Sequence, residues 1–394
     1  VAGEETMKIS SEERDIIQRI LQHHAQGTTD MTPEMMANPV ENYASDKVLE
    51  AEQQILFREF PLILAHSSEL PDAGSFLTNN DTGMPLLITR NDAGEVQAFL
   101  NVCRHRGARV EDRPCGKARA FSCPYHSWTY DLNGSLRGLP GAVGFEGLKK
   151  DEHGLVPVPA FERFGLIWVR PTPADQPIDI DAWLKPMEEQ LNGLDLGSHV
   201  IFESWKLDRN MSWRLALEGF QESYHFCHAH RTTACSNYLD NQSVFIQHYP
   251  HVRHAVPLPH VVDLADQAPE TWDYRSNFMT QNYLFPANFV QVMTDHVYVH
   301  TIIPTGPGTC IFKCQMLIAE PPKDEKAERF WRRNYDVVRA VFNEDFEIGE
   351  NIQKGLNSGA NLNFVFGKNE CCLHYGQTAI TDALEQRLKV PLAL

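Results

Sequence analysis

The sequence predicts an α+β protein: a small all-β domain, then a second domain in which an antiparallel sheet is covered by one long helix. Three observations carry this. From about residue 60 the chain breaks into short β-rich runs separated by turn signals, and strand-like runs resume beyond residue 177. The segment "KDEKAERFWRRNYDVVRAVFNEDFEIGENIQKG", residues 323–355, then repeats apolar residues at helical spacing over far more length than a strand uses.

The elements follow in order. "ISSEERDIIQRILQHH", residues 9–24, places serines and glutamates ahead of Ile and Leu at helical spacing and predicts a capped amphipathic helix. A Met- and Pro-containing loop is expected over 27–43 and a second helix over 46–60. The β runs are "PLILAHSSEL", "MPLLITR", "VQAFLNVC", "RAFSCPYHSWTYDL", "SLRGL" and "FGLIWVRP", with "NDAGE" and "DLNGS" supplying the Asn/Asp-Gly chemistry of tight hairpins. "PTPADQP", residues 171–177, marks the boundary. Beyond it "MSWRLALEGFQESYHFCHAH" has helical periodicity in its first two thirds. "FVQVMTDHVYVHTIIP" and "GTCIFKCQMLIAEP" read as strands. The divisions are therefore 1–59, a helical lead, 60–172, the β domain, and 173–394.

Composition bounds the function. A chain of 394 residues with 42% hydrophobic residues builds full cores. A net charge of -17 argues against a nucleic-acid binder, which needs a basic surface. Nine cysteines, unevenly spread, do not make a disulfide framework and suit a reducing compartment, so a cytoplasmic location is expected. The first fifteen residues are polar and acidic, without the apolar stretch of a secretory signal, and no run of about 18 apolar residues predicts a membrane span.

Chemistry concentrates in two places. In "CRHRGARVEDRPCGKARAFSCPYHSW", Cys103 and His105 are followed after 17 residues by Cys123 and His126. Two turns that each present a pair of soft donors make a metal site. Zinc with two Cys and two His is one reading. The mixed order, one Cys and one His per loop, better suits a two-iron cluster in which one iron takes both thiolates and the other both imidazoles. Gly107 is expected to bring backbone N–H groups toward the cluster sulfurs. "CRHRG" followed by "CPYHSW" resembles the Rieske signature, which implies a [2Fe-2S] cluster held by those four residues and leaves Cys115 as a bystander.

The second place is "LEGFQESYHFCHAHRTT", which offers Glu218, Glu222, His225, His228 and His230 within thirteen positions. Such residues on a half-exposed helix are most often merely solvated. Helical spacing pairs His225 with His228, because neighbours three or four apart share a face. The segment nevertheless resembles the D/E-x-x-H-x-x-x-x-H motif of Rieske non-haem iron oxygenases. That resemblance implies Glu222 as a catalytic bridging carboxylate, His225 and His230 as iron ligands, and a helix that ends or bulges between them. It also implies Asp345, in "FNEDFEIGENIQKG", as the third ligand of a 2-His-1-carboxylate site, with Glu344, Glu347 and Glu350 as its rivals. Glu222 stands where ring-hydroxylating members commonly have Asp, as in members acting on choline-, betaine- and carnitine-like substrates, and Glu218 stands where they often have Asn.

The resemblance spans nearly the whole chain. It implies a helical lead packed on a catalytic domain of helix-grip fold, and a terminal oxygenase (α) subunit using a Rieske cluster, mononuclear Fe(II) and O2. The reaction implied is hydroxylation, dihydroxylation or oxidative demethylation of a small aromatic or alkylammonium substrate. Electrons would come from a separate reductase or ferredoxin, and from NAD(P)H only through that partner, since no G-x-G-x-x-G fingerprint is present. It implies a head-to-tail homotrimer in which Glu222 lies between His126 of one subunit and His225 of the next. Two alternatives stand beside it: a Rieske electron-transfer protein whose larger domain only binds a ligand, and a zinc-stabilised lipid-binding protein. Phe220, Tyr224, Phe226, Tyr283 and Phe285 are expected to line an apolar pocket, to form core, or to cage an alkylammonium group.

Overall fold

The computed structural model describes residues 9–393. The reading of the amino-terminal segment as lacking a leader rests in part on residues 1–8, outside the described residues. The chain forms two compact units, one built from the chain up to Val48 with Phe202–Ile302 and Gly306–Thr381, the other from Leu49–Ile201, Ile303–Thr305 and Asp382 onward.

The first helix, α1 (Ser11–Gln26), starts where the sequence predicts. Ser10 accepts from the Glu13 N–H while the Glu13 carboxylate accepts from the Ser10 N–H, a reciprocal pair that satisfies two of the free donors at a helix start. Its apolar stripe, Ile16, Ile17 and Ile20, is fully buried against Val244, Ala255 and Phe278. Glu12 and Glu13 hold Arg253, which stacks on the Tyr274 ring at 4.6 Å. The second predicted helix is α2 (Asp46–Glu59). The expected loop between them is partly ordered: Met36–Pro39 is a strand antiparallel to Asn363–Phe366, and Glu41–Ala44 is one helical turn. A four-residue strand containing a proline carries no readable period, and its pairing lies more than 300 residues away.

In the β unit, strands Pro157–Val158, Val96–Leu100, Leu86–Arg90, Ser75–Asn79 and Cys115–Lys117 form one sheet in that order, and Ala120–Ser122, Thr129–Asp131 and Leu136–Gly138 form a second. Both hairpins expected from the sequence use the same device. Asn91 accepts from the N–H groups of Ala93 and Glu95, and Asp131 from those of Asn133 and Ser135, each at 2.9–3.0 Å. Phe76, Phe99, Phe121, Trp128 and Tyr130 fill the core beneath the two Cys/His loops.

The other unit is built on a seven-stranded sheet. Its strands are β1 (Val200–Arg209), β2 (Val244–His248), β3 (His251–Pro257), β4 (Phe278–Leu284), β5 (Asn288–Val292), β6 (His296–Gly306) and β7 (Thr309–Ile318), in spatial order β1-β7-β6-β5-β4-β3-β2. Pairing from β2 to β6 is antiparallel between successive strands. After the short helices α3 (Trp213–Glu218) and α4 (Phe226–Ala229) comes the long helix α5 (Glu325–Leu356), capped by Asp324. Phe342 and Phe346 of α5 pack on Phe312 of β7 at ring-centroid distances of 5.6 and 4.9 Å. Burial of each such ring contributes about 1.5–3 kcal/mol. Gly349 lets α5 approach the loop before α3, because a Cβ there would meet Met211 Sδ at 2.4 Å. No helix among the described residues is long and apolar enough to cross a membrane.

Candidate metal centres

The two Cys/His loops are copies of one backbone design. Gly107 donates to the Cys103 carbonyl and Ser127 to the Cys123 carbonyl, both at 2.9 Å; Cys103 donates to Ala108 and Cys123 to Trp128 at 2.8 and 2.9 Å. Each loop turns through a residue of positive φ, +77° at Gly107 and +58° at Ser127. The N–H of Gly107 is thereby committed to its own loop rather than aimed at sulfur, and the glycine serves the left-handed turn instead. Both thiols are buried, His126 is exposed, and His105 is stacked on Trp128 at 5.0 Å.

The His105 Nδ1 atom is buried without a protein partner. The His105 and His126 rings lie 4.6 Å apart. Tyr130 sits with its hydroxyl 3.4 Å from Cys103 Sγ and accepts from the Arg104 N–H. Among the described residues, only His225, His230 and Asp345 bring three such donor atoms within 4.8 Å of one another. Two buried thiols and two adjoining imidazoles, one of each per loop, fit a pair of irons bridged by sulfide. Cys115 lies on an exposed strand paired to Leu77, away from the turns.

The second centre departs from a continuous helix. Ser212 caps α3 and Gly219 ends it. Turns follow to His225, and α4 lasts one turn before His230, whose φ of -103° and ψ of 37° leave the helix. His228, three residues after His225, lies in the single turn of α4 rather than in the longer helix that the spacing argument assumed, and it is exposed. A disulfide, Cys227–Cys235, ties α4 to the turn beyond His230, a bond that the cysteine count did not suggest; the other seven cysteines are free.

The Nε2 atoms of His225 and His230 face one oxygen of Asp345, at 3.4 and 2.9 Å. Each ring is held from behind at Nδ1. His225 meets Glu222, whose other oxygen accepts from the His225 backbone N–H at 3.1 Å. His230 meets Glu344 at 2.8 Å, and Glu344 also accepts from Thr233. Burial disfavours charge on His225, but the Asp345 and Glu222 carboxylates outweigh it and push its pKa up to about 10. His230 is raised by the same balance, with burial opposing and Asp345 and Glu344 in favour. A pair of imidazoles held that strongly by carboxylates is a place where a divalent cation replaces protons.

Glu344 is the residue that the sequence reading set aside as a rival ligand. It meets His230 Nδ1 instead. Glu350 accepts from the Asn210 N–H and pairs with Arg209, while Glu347 is exposed. Glu218 accepts from the Tyr43 hydroxyl at 2.7 Å, a contact 175 positions apart. Two cavities meet at the trio. One, of about 610 Å3, is lined by Glu222, His225, Asp345 and the exposed Ile348 and Ile352; the other, of about 180 Å3, reaches His230 and is lined by Phe220 and Phe226. Tyr283 and Phe285 are core and Tyr224 is exposed.

One donor set built for paired irons and another built for a single iron with open positions define an electron-carrying, O2-using class of protein. The comparisons agree. Residues 60–158 match the Rieske [2Fe-2S] domain, and residues 196–386 match the ring hydroxylating alpha subunit (catalytic domain). The chain belongs to the Rieske non-haem iron oxygenases and is an oxygenase subunit of that family. The glycine betaine monooxygenase oxygenase subunit of Chromohalobacter salexigens is 25% identical over 366 residues, covering 81% of this chain and 79% of that one. The biphenyl 2,3-dioxygenase subunit alpha of Rhodococcus jostii is 31% identical over 236 residues, 58% of this chain and 46% of its own. Among solved structures, the quaternary ammonium Rieske monooxygenase CntA with L-carnitine superposes at a TM-score of 0.76 with 20% identity, covering 94% of this chain and 98% of that one.

Proposed function

We propose that this chain, divided at 59/60 and 172/173, is the terminal oxygenase of a multi-component system. Cys103 and Cys123 hold one iron of the [2Fe-2S] cluster, His105 and His126 hold the other, and His225, His230 and Asp345 hold the mononuclear iron. The observation that carries this is the orientation control at the second centre: Glu222 and Glu344 each accept a hydrogen bond at Nδ1 of one histidine, so that both Nε2 atoms are turned to Asp345, where a metal ion would displace their protons. When bound, the mononuclear iron supplies the O2-activating chemistry and the cluster supplies single electrons.

The protein's own groups do the rest. The imidazoles are held in one orientation, Phe220 and Phe226 line the smaller cavity, and the exposed His126 offers an exit from the cluster. Head-to-tail assembly as a homotrimer sets His126 of one subunit against Glu222 of the next, so that an electron passes along His126, Glu222 and His225. A reductase or ferredoxin supplies the electrons in the cytoplasm. The substrate is a small organic molecule, aromatic or alkylammonium.

The test removes only the mononuclear iron with a chelator, checks that the cluster spectrum survives, and measures O2 uptake with chemical reductant and a substrate panel. Uptake coupled to product should vanish and return with added Fe(II). Uptake indifferent to that iron would instead fit an electron carrier with a ligand-binding domain.

A further inference from the structure

One covalent bond at the second centre serves neither the sheet nor the metal-facing atoms directly. Cys227 and Cys235, eight positions apart, are joined to each other, while the seven other cysteines of the chain are free. The bonded pair brackets His230, and the chain there is a single wrap around that residue. The His230 N–H donates to the Phe226 carbonyl at 2.9 Å, and the His230 carbonyl accepts from the N–H groups of Thr233, Ala234 and Cys235 at 3.2, 3.1 and 3.0 Å. Thr233, inside the same wrap, donates to Glu344, which meets His230 Nδ1. The bridged segment thus carries a metal-facing imidazole together with the hydroxyl that steadies the carboxylate behind it.

Little secondary structure holds this segment. α4 is one helical turn, and a single turn in isolation is not stable. Cys227 and Cys235 are half-buried, and Arg231, Thr232, Ser236 and Asn237 around them are exposed, whereas every free cysteine except Cys115 is buried. A brief local opening of so short a segment presents the bond to a small thiol. In the reducing compartment proposed above, a disulfide that does form is as a rule redox-responsive rather than part of a framework.

We propose that Cys227 and Cys235 are a redox modification site: a dithiol–disulfide couple, exchanging with a low-molecular-weight disulfide of the glutathione type, that sets how firmly the mononuclear iron is kept. This rests on the ligand assignment above and adds regulation to it. On closing, one cysteine thiolate attacks the external disulfide, giving a mixed disulfide and one released thiol; the second cysteine thiolate then displaces the remaining external sulfur. Two electrons pass from the cysteine sulfurs to the external S–S bond, which breaks, and the two cysteine protons end on the two thiols released. Closed, the bond removes open conformations of the wrap, and His230 is already placed for metal. Opened, the wrap relies on its hydrogen bonds alone.

The test equilibrates the holoprotein anaerobically in glutathione buffers running from fully reduced to fully oxidised. In each buffer, thiols are alkylated and located by peptide mass spectrometry, and the rate at which mononuclear iron passes to a fixed chelator is measured, with the cluster spectrum as the control for folding. Cys227 and Cys235 should be alkylated together in the reduced buffers and protected together in the oxidised ones. Iron should leave the reduced form about ten- to a hundredfold faster. Cys227→Ser and Cys235→Ser should each lose iron at the reduced wild-type rate in every buffer, and Cys115→Ser should respond as wild type does. A pair that stays closed in fully reduced glutathione, or never closes in the oxidised buffer, overturns the proposal, as do serine variants that keep iron like the oxidised wild type. Equal iron retention across a complete thiol transition overturns this inference alone, whereas mononuclear iron held in no buffer overturns the ligand assignment and this inference with it.

Discussion

His230 is gripped by two adjacent residues of α5, Glu344 at its Nδ1 and Asp345 at its Nε2, at 2.8 and 2.9 Å. Neighbours on a helix diverge by about 100°, and the ring spans that divergence. Glu344 therefore fixes which nitrogen of His230 is free to bind metal. Glu344→Ala should lower mononuclear iron affinity by about ten- to a hundredfold and turnover with it. Glu344→Gln keeps an acceptor oxygen and should lose much less. Iron content after dialysis against graded chelator measures both, with the cluster spectrum as control; Glu344→Ala that holds iron as wild type does would reduce this contact to surface packing.

If Asp345 closes the trio, Asp345→Ala should lose the mononuclear iron and substrate turnover and keep the visible spectrum of the cluster. Glu350 no longer stands as a substitute, because it is engaged by Arg209 and the Asn210 N–H. Full activity in the Asp345 variant would place the third ligand outside α5.

What the sequence made legible follows the range of the contacts. The cluster loops are local: each donor pair falls within four residues and its turn, so spacing alone located them. The Asp345 position came from resemblance, since nothing local links it to His230, 115 positions earlier. Glu344 reads in the sequence as a rival of Asp345, because nothing local shows that its carboxylate meets His230 on the other side of the ring. The Tyr43–Glu218 contact joins an expected loop to the last residue of α3 and left no periodic trace. His228 misled for a different reason: i,i+3 logic presumes a continuous helix, and α4 is a single turn that begins after His225 and is left at His230.

The assignment of the cluster ligands predicts that Cys103→Ser and His126→Ala each abolish the visible absorption. Cys103 is buried in the core under its loop and His126 exposed at the tip of the other, so loss of colour in both cannot be traced to one local collapse. Cys115→Ser, on its exposed strand, should keep the spectrum. An unchanged spectrum in either ligand variant would remove that residue from the set.

The anchoring of α1 should depend on acidity. Burial raises the Glu12 pKa, but hydrogen bonds from His248 and Arg253 and the Arg253 charge outweigh it and hold it at about 2 against an ordinary 4.5. A carboxyl held low stabilises the fold above its ordinary pKa and loses that contribution as pH falls toward the lowered value. The contribution is about 1–3 kcal/mol after allowance for solvent screening. Wild type should exceed Glu12→Gln in denaturant midpoint at pH 6, and more than half the gap should close by pH 3. A gap of constant size would mean that the glutamine disturbs packing rather than charge.

Glu222 carries the most distinctive expectation, because both of its oxygens already serve His225, one at the ring and one at the backbone N–H, without exhausting their lone pairs. A carboxylate oxygen accepts more than one hydrogen bond, so in the proposed trimer a second imidazole, His126 of a neighbouring subunit, would find an acceptor there. Removing the carboxylate leaves the donor atoms of both metal centres in place but also frees His225 Nδ1, so the variant is measured with Fe(II) in excess, where only the proposed link is missing. Glu222→Ala should retain cluster absorption, mononuclear iron and the trimer measured by sedimentation, yet oxidise its reduced cluster far more slowly in the presence of O2 and substrate. Glu222→Gln has one acceptor oxygen for two imidazoles and should fall nearly as far, since its amide nitrogen can only donate to them. Single-turnover oxidation of the pre-reduced cluster reads the step directly, independent of the external donor. Wild-type rates in Glu222→Ala would break the proposed path, and a monomer that oxidises its own cluster at full speed would show that no neighbouring subunit is needed.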